Sequence, residues 1–433
     1  MVSRIIARFA AVSAVERGAP FFYGWIVLAV ATLGICMTGP GQTYGVSIFI
    51  EPMVQELEWS RSTISGAYSI ATTIAGLSMI AFGAYLDRRS ARVVVAVVAG
   101  LFGATCVGMA TVSTPLAALL GFTGLRVLGQ AALSLSCTTL AARWFIRRRG
   151  RAMSIVMLGA AASNALFPLI LQGSISSYGW RTTWIYCGIA VWVVLVVPAA
   201  LLIRDRPEAI GQAPDGARAD PPTRGRAAAP TVEHTWTLGQ AMRSSTFWLL
   251  IAGTMAPGAI STGLIFHQVS YFASRGLSAE VAASALTAFA IAFAATTFVV
   301  GFVLERVPER YVLAGGLLLL PVGVLCLMAA TTPPVALLYG ALLGVVSGTN
   351  GTTSASIWAG YYGRRHLGSI RGLTQAINIT AAATGPLMLS IPYDLFGSYT
   401  AGLWFMAALP VAGALAAVLA GPPAPPPARG ARR

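Results

Sequence analysis

"GAYLDRRSAR", residues 83–92, ends a long apolar run on a carboxylate and a cluster of arginines, and residues 301–310, "GFVLERVPER", do the same again. Gly83, Asp87, Arg88 and Arg92 fall on Gly301, Glu305, Arg306 and Arg310, each pair 218 positions apart. The same offset carries Gly150 onto Gly368, Pro168 onto Pro386 and Gly179 onto Gly397. Single matches of glycine or proline are common. One offset shared by separate landmarks from residue 83 to residue 179 marks a duplicated unit.

The rest of the chain says what kind of unit it is. Of 433 residues, 56% are hydrophobic and 10% charged, with a mean hydropathy of +0.73. A soluble domain carries about 25% charged residues. Apolar runs lie near 23–50, 60–85, 91–112, 116–142, 151–174, 182–203, 246–272, 279–304, 311–330, 335–360, 372–392 and 400–420. Some 20 apolar residues cross the ~30 Å hydrocarbon core as helix. Barrel strands would alternate in polarity, and these runs do not. The expected fold is therefore an all-α membrane protein of twelve transmembrane helices. Six spans per unit return the second to the orientation of the first, giving two parallel six-helix repeats. Solute sites in such proteins lie between the halves near mid-membrane. The expected domains are an N-tail (1–20), a first bundle (21–203), a Pro- and Gly-rich mobile linker (204–240), a second bundle (241–420) and a disordered tail (421–433).

The net charge of +15 does not point to nucleic acid. Every one of the 29 basic residues is arginine, and 25 fall in the tails and the loops on one side of the spans. Only Arg61, Arg181 and Arg275 fall on the other side, with Arg126 inside a span. This is the positive-inside pattern, with both termini cytoplasmic; a nucleic-acid protein needs a basic folded surface instead. The N-tail is expected on the membrane surface and is not a cleaved signal. All five cysteines (Cys36, Cys106, Cys137, Cys187, Cys326) fall inside spans, where they read as small apolar residues. No metal spacing, no cofactor motif, no phosphate-binding loop and no mid-membrane acid occurs, so an enzyme or a direct ATP-driven pump is not expected.

Two spans carry a proline among small polar residues. "TGPGQTYGVSIF" (38–49) and "APGAISTGLIFH" (256–267) occupy equivalent places. Thr43 matches Ser261, Gly45 matches Gly263, and Pro40 has Pro257 one position out of register. A proline removes a backbone donor and clashes with the preceding turn, so both copies are expected to break. Freed carbonyls in lipid must be satisfied by protein or water, which points at a cavity.

Arg126 is the one charge deep in a span. It costs about 2.5–3.5 kcal/mol at the bilayer centre, so it faces protein or water. At helical spacing Gln130, Ser134 and Cys137 continue its face. It reads as a carboxylate clamp or as a structural tie to backbone carbonyls. His267, the lone histidine in a span, is a candidate for proton coupling or a helix-packing residue. Ser261 and Gln268 share a different face from it. Asn350, Ser354 and Trp358 form one face of the tenth span, and Gln42 and Tyr44 sit at the first break; each suits a cavity or a helix-bridging hydrogen bond.

The stretch 83–92, the twelve spans and the linker together resemble the major facilitator superfamily, with Ser90 in place of that motif's second glycine. The resemblance implies that the first, fourth, seventh and tenth helices line the cavity, and that Asp87, Arg88 and Arg92 latch one conformation at the cytoplasmic edge. "FFYGWIVL" (21–28), "RWFIRRRGRAMSIVMLGAAAS" (143–163) and "RDRPEAIGQAPDG" (204–216) resemble its monocarboxylate and oxalate–formate branch. That branch often carries an arginine in the eighth helix, and 279–304 has none. The expected function is secondary transport of a small organic anion by alternating access. Alternatives are a neutral or amphipathic solute, in either direction, or a solute sensor. The expected partners are a small-molecule substrate and the lipid bilayer, with no nucleic acid, in a monomer of the bacterial inner membrane.

Overall fold

The computed structural model describes residues 22–59, 61–216 and 236–423. The N-tail (1–20) expected on the membrane surface, the middle of the linker (217–235) and most of the C-tail (424–433) lie outside the described residues. Within them the secondary structure is helical, with no strand. Ten stretches are long and apolar enough to cross a membrane. One of these, Arg149–Leu202, has 54 residues, or about 80 Å of helix at 1.5 Å per residue. Gly179, at φ 77° and ψ 162°, divides it into two spans, 149–178 and 180–202. A further span is built from Leu367–Thr384 and Leu387–Phe396, interrupted at Gly385 and Pro386. The described residues thus form twelve spans, six in each of two compact units, Met1–Glu233 and His234–Arg433.

The repeat is visible in where helices begin. Ala91 and Glu309 open the third and ninth spans, Pro115 and Pro333 the fourth and tenth, Arg149 and Leu367 the fifth and eleventh. Each pair is 218 apart. The physical reason is local. Thr114-Pro115 and Thr332-Pro333 place a capping residue before a proline at the first helical position, where its missing N–H is not needed. Gly179 and Gly397 both take positive φ, 77° and 66°, and close the fifth and eleventh spans with a conformation that costs glycine little.

The first span breaks as expected. Helix Gly24–Cys36 gives way to a 3₁₀ turn at Gly39–Gly41, Gln42 is extended at ψ 159°, and helix resumes at Thr43–Leu57. The carbonyl of Cys36, freed by the break, accepts from Ser163 Oγ at 2.7 Å, and Ser163 accepts from Tyr44 Oη at 2.8 Å. The second unit differs from the expectation. Pro257 lies inside an unbroken helix, Ser245–Ser274. A lone proline forfeits one hydrogen bond, which a long packed helix absorbs; Gly-Pro-Gly loses backbone stiffness on both sides as well. The interruption of the second unit is in the eleventh span instead, at Gly385-Pro386, while the matching Pro168 lies in the continuous fifth span. The fifth span packs on the first with Gly159 against Thr32 O, and the eleventh on the seventh with Gly385 against Ala259 O. Gly385 and Pro386 keep helical angles, so the eleventh span loses hydrogen bonds there without the extended residue that breaks the first.

The linker is also shorter than its composition suggests. Trp144 Nε1 donates to Arg204 O at 2.9 Å, Tyr23 Oη to Leu202 O at 3.0 Å, and Tyr23 N to Gln212 Oε1 at 3.0 Å. Asp205 accepts from Ser90 Oγ (2.9 Å) and Arg92 N (3.1 Å) at the start of the third span. Asp215 accepts the backbone N–H groups of Ile146, Arg147 and Arg148 at 3.0, 2.7 and 3.1 Å, just before the fifth. Beyond it, Thr237 and Gln240 form a capping box that opens helix Leu238–Met242. Residues 204–216 and 236–242 belong to the two units, because a carboxylate beside a helix start satisfies donors that have no intrahelical partner.

Candidate functional site

In the first unit the polar groups gather where the broken first span meets the fourth. The fourth span is α-helical over Pro115–Gly124 and Ser134–Trp144 and π-helical between, over Leu125–Leu133. Such wide turns recur at functional sites. Gly41 brings the break to within a close approach of Leu125 O and Gly129, with the Phe102 ring behind both glycines. A Cβ at either position would collide. Arg126, on the π segment, is 3% exposed. Its Nη1 reaches Gly41 O and Thr43 Oγ1, both at 3.4 Å, beyond the usual 2.7–3.2 Å range. Its Cζ lies 4.8 Å from the centre of the Tyr68 ring. Tyr68, in the second span Arg61–Arg88, donates from Oη to Thr43 Oγ1 at 2.9 Å, and Phe122 meets its ring edge-on at 6.0 Å. Arg126 Nε and Gln130 Oε1 are buried without a partner.

The other candidates of this unit divide. Gln42 Nε2 donates to Thr38 Oγ1 at 3.1 Å and Tyr44 is committed to Ser163, so both stabilise the break. Ser134 is half-buried, and Cys137 packs against Gly34 of the first span. Arg126 and Cys137 thus both meet the first span, across the π segment between them.

In the second unit, Ser261 Oγ and Asn378 Oδ1 are buried without partners. Asn350 Oδ1 accepts from Ser354 Oγ at 3.3 Å, whereas Trp358 is fully buried beside Phe247 and Tyr362. Gln268 donates to Ala282 O at 2.8 Å and joins the seventh span to the eighth. His267 Nε2 lies 3.1 Å from Pro386 O, at the interruption of the eleventh span, with Tyr399 at 5.5 Å. A carbonyl only accepts, so in this contact the ring proton is on Nε2.

At the arginine-rich end of the first unit, Asp87 pairs with Arg143 at 3.6 Å, both nearly inaccessible. Arg143 Nη2 also donates to Leu86 O at 3.4 Å, and Arg92 Nε to Ala200 O at 2.6 Å. Gly83 is buried and Arg88 exposed. The ion pair of this motif therefore runs to the fourth span. No group of acidic, histidine and cysteine side chains suited to a metal ion occurs among the described residues.

The sequence matches the Major Facilitator Superfamily over residues 30–283 and again over residues 263–433. The chain belongs to the major facilitator superfamily. Solved structures of this fold agree with it along nearly its whole length. The human organic anion transporter MFSD10 (TETRAN) has a TM-score of 0.71 at 15% identity, with 91% of this chain and 99% of that one covered. The E. coli fucose:proton symporter FucP has 0.66 at 13%, covering 93% and 100%. The proton:xylose symporter XylE bound to 6-bromo-6-deoxy-D-glucose has 0.63 at 14%, covering 92% and 94%. None of the curated proteins matches the sequence. This facilitator is a membrane transport protein and not an enzyme.

Two members of its polar clusters escape a reading of the sequence, and the part of a third, Thr43, is seen only as a match to Ser261. Tyr68 is a lone aromatic in a span of mixed character, and nothing along the chain ties it to Arg126. Asn378, in "LTQAINIT", is one of several polar residues in its stretch and is set apart only by its buried, unpartnered oxygen.

Proposed function

We propose that this facilitator is a secondary transporter of small organic anions, monocarboxylates in particular, working by alternating access in the bacterial inner membrane with both termini cytoplasmic. The under-coordination of Arg126 carries the reading. A guanidinium has five N–H donors, and this one, deep in a span, makes two long contacts and leaves Nε bare. A buried cation so poorly paired is costly, and a carboxylate matches its fork. Gln130 lends polar lining beside it. In the second unit the proposed solute-binding residues are Ser261, Asn350 and Ser354. The Asp87–Arg143 pair, with Gly83 and Arg92, would latch one conformation. His267 is the residue to test for proton coupling.

The test is uptake of labelled lactate, pyruvate, formate and oxalate into proteoliposomes, with and without an inward proton gradient. Two charge-assisted hydrogen bonds at about 1.5–3 kcal/mol each are at stake, so Arg126→Gln should lower uptake about 100-fold or more. If the gradient stimulates transport, His267→Gln should remove the stimulation and leave uptake driven by substrate alone. If the folded wild type moves none of these anions, the anion reading falls. The absence of arginine from 279–304 favours the second reading, a neutral or amphipathic solute. FucP and XylE, which share the fold, are named as symporters of neutral sugars.

A further inference from the structure

We infer that Tyr68 is a positioning residue that presents one edge of Arg126 to a single carboxylate, so that the site prefers monocarboxylates to dicarboxylates. The inference rests on the anion reading above and adds to it the orientation of the anion and the residue that sets it.

The guanidinium is a plane with two usable edges besides its Nη1 end. Nη1 already faces the first span, through Gly41 O and Thr43 Oγ1. Nε is buried and bare, and the two hydrogen bonds that the guanidinium makes among the described residues are both from Nη1. The unpaired edge is therefore Nε with Nη2, whose two N–H groups point side by side and match the two oxygens of one carboxylate. For the fork to be preset, the plane must not rotate about the side chain. Tyr68 supplies that restraint in two ways. Its ring lies under Cζ at 4.8 Å, a cation–π contact in a desolvated place. Its hydroxyl donates to Thr43 Oγ1, the same oxygen that Nη1 contacts, which closes a ring of three side chains. Phe122, one helical turn before Arg126, holds the tyrosine by its edge. Tyr68 thus lies against Phe122 and Arg126, both on the fourth span.

The preference for a monoanion follows from charge. Away from the span ends, no cation other than Arg126 occurs in the first six spans. A second carboxylate would enter an apolar unit with no cationic partner, at a cost that the first carboxylate does not bear.

The experiment compares wild type, Arg126→Gln, Tyr68→Phe, Tyr68→Leu and Thr43→Val in proteoliposome uptake of lactate, pyruvate and oxalate, with detergent-solubilised monodispersity and thermal midpoint as folding controls. Tyr68→Phe keeps the ring face but loses the tie to Thr43 and should raise KM for the monocarboxylates about threefold, and Thr43→Val, which removes the shared hydroxyl, should do likewise. Tyr68→Leu should raise that KM about 10-fold with turnover little changed, as expected for loss of one buried cation–π contact. Should Tyr68→Leu fail to fold, Tyr68→Met, of similar volume but without a ring face, takes its place. The wild type should take up lactate or pyruvate with a lower KM than oxalate. Two results would overturn the inference while leaving the anion reading intact: Arg126-dependent uptake whose KM is the same in the Leu, Met and Phe variants, or Arg126-dependent uptake that favours oxalate. Uptake indifferent to Arg126→Gln would overturn both.

Discussion

Arg181 and Arg275 stand on the side of the membrane that arginine otherwise avoids, and each is spent on a helix end. Arg181 Nη1 donates to Ala110 O at 2.7 Å and Val112 O at 3.1 Å, past the end of the third span. Arg275 Nη2 donates to Met328 O at the end of the ninth. Ala110 and Met328 are 218 apart, so the two units cap the same carbonyl with arginines from different places in the chain. Cations suit the negative end of a helix, and the carbonyls have no partner within it. Arg181 further holds Glu56 by Nε at 2.8 Å while Trp180 Nε1 donates to the same carboxylate at 2.5 Å. The ion pair itself is well exposed and worth little. The carbonyl bonds matter more, and Arg181→Gln should lower stability by about 1–2 kcal/mol, read as a fall in the thermal midpoint of the purified protein. Uptake per folded molecule should change little, since Arg181 touches none of the Arg126 cluster.

At the scale of elements, the contrast between Pro40 and Pro257 shows that a proline does not decide a break alone. Gly39 and Gly41 free the backbone on either side, and Ser163 with Tyr44 satisfies the carbonyl that the break exposes. The prediction is asymmetric. Gly41→Ala should destabilise by about 1–3 kcal/mol, because its Cβ would sit 2.7 Å from Leu125 O, and it should impair uptake with it. Pro257→Ala should leave the thermal midpoint unchanged or raise it, since the helix there is already continuous. The docked start of the linker makes a second test. Asp215 accepts three backbone N–H groups from a left-handed position, φ 62°, that aspartate and asparagine tolerate. Asp215→Ala should speed hydrogen exchange of the amides of Ile146, Arg147 and Arg148 and cost about 0.5–2 kcal/mol, and Asp215→Asn should recover part of the loss.

For the molecule as a whole, the strongest regularity is that helix starts recur at a constant interval while the hydrogen bonds at their ends do not. Two copies of one unit share their hydropathy and their punctuation, and each has then found its own way to satisfy the groups that punctuation frees. The arginine distribution predicts topology as well. With the arginine-rich loops cytoplasmic, as proposed, a fluorescent protein fused after Arg433 should fold and fluoresce, whereas alkaline phosphatase fused within 111–114 or 330–332 should be active. A phosphatase active at the C-terminus would reverse the proposed orientation.

The sequence by itself determined the membrane class, the duplication and the number of spans, because hydropathy and helix punctuation are properties of contiguous residues. Gly-Pro-Gly at 39–41 was legible as a break for the same reason. Only the tertiary structure decided that Pro257 would not break its helix, that Asp87 would pair with Arg143, that Asp205 and Asp215 would dock the linker, and that Tyr68 would lie under Arg126. Each of these depends on which distant group comes within reach of an unsatisfied donor, acceptor or charge. Tyr44 and Ser163 are 119 residues apart, and Asp215 and Arg147 are 68 apart. In an apolar interior, where every unpaired polar group is costly, those long-range pairings settle what each local signal becomes.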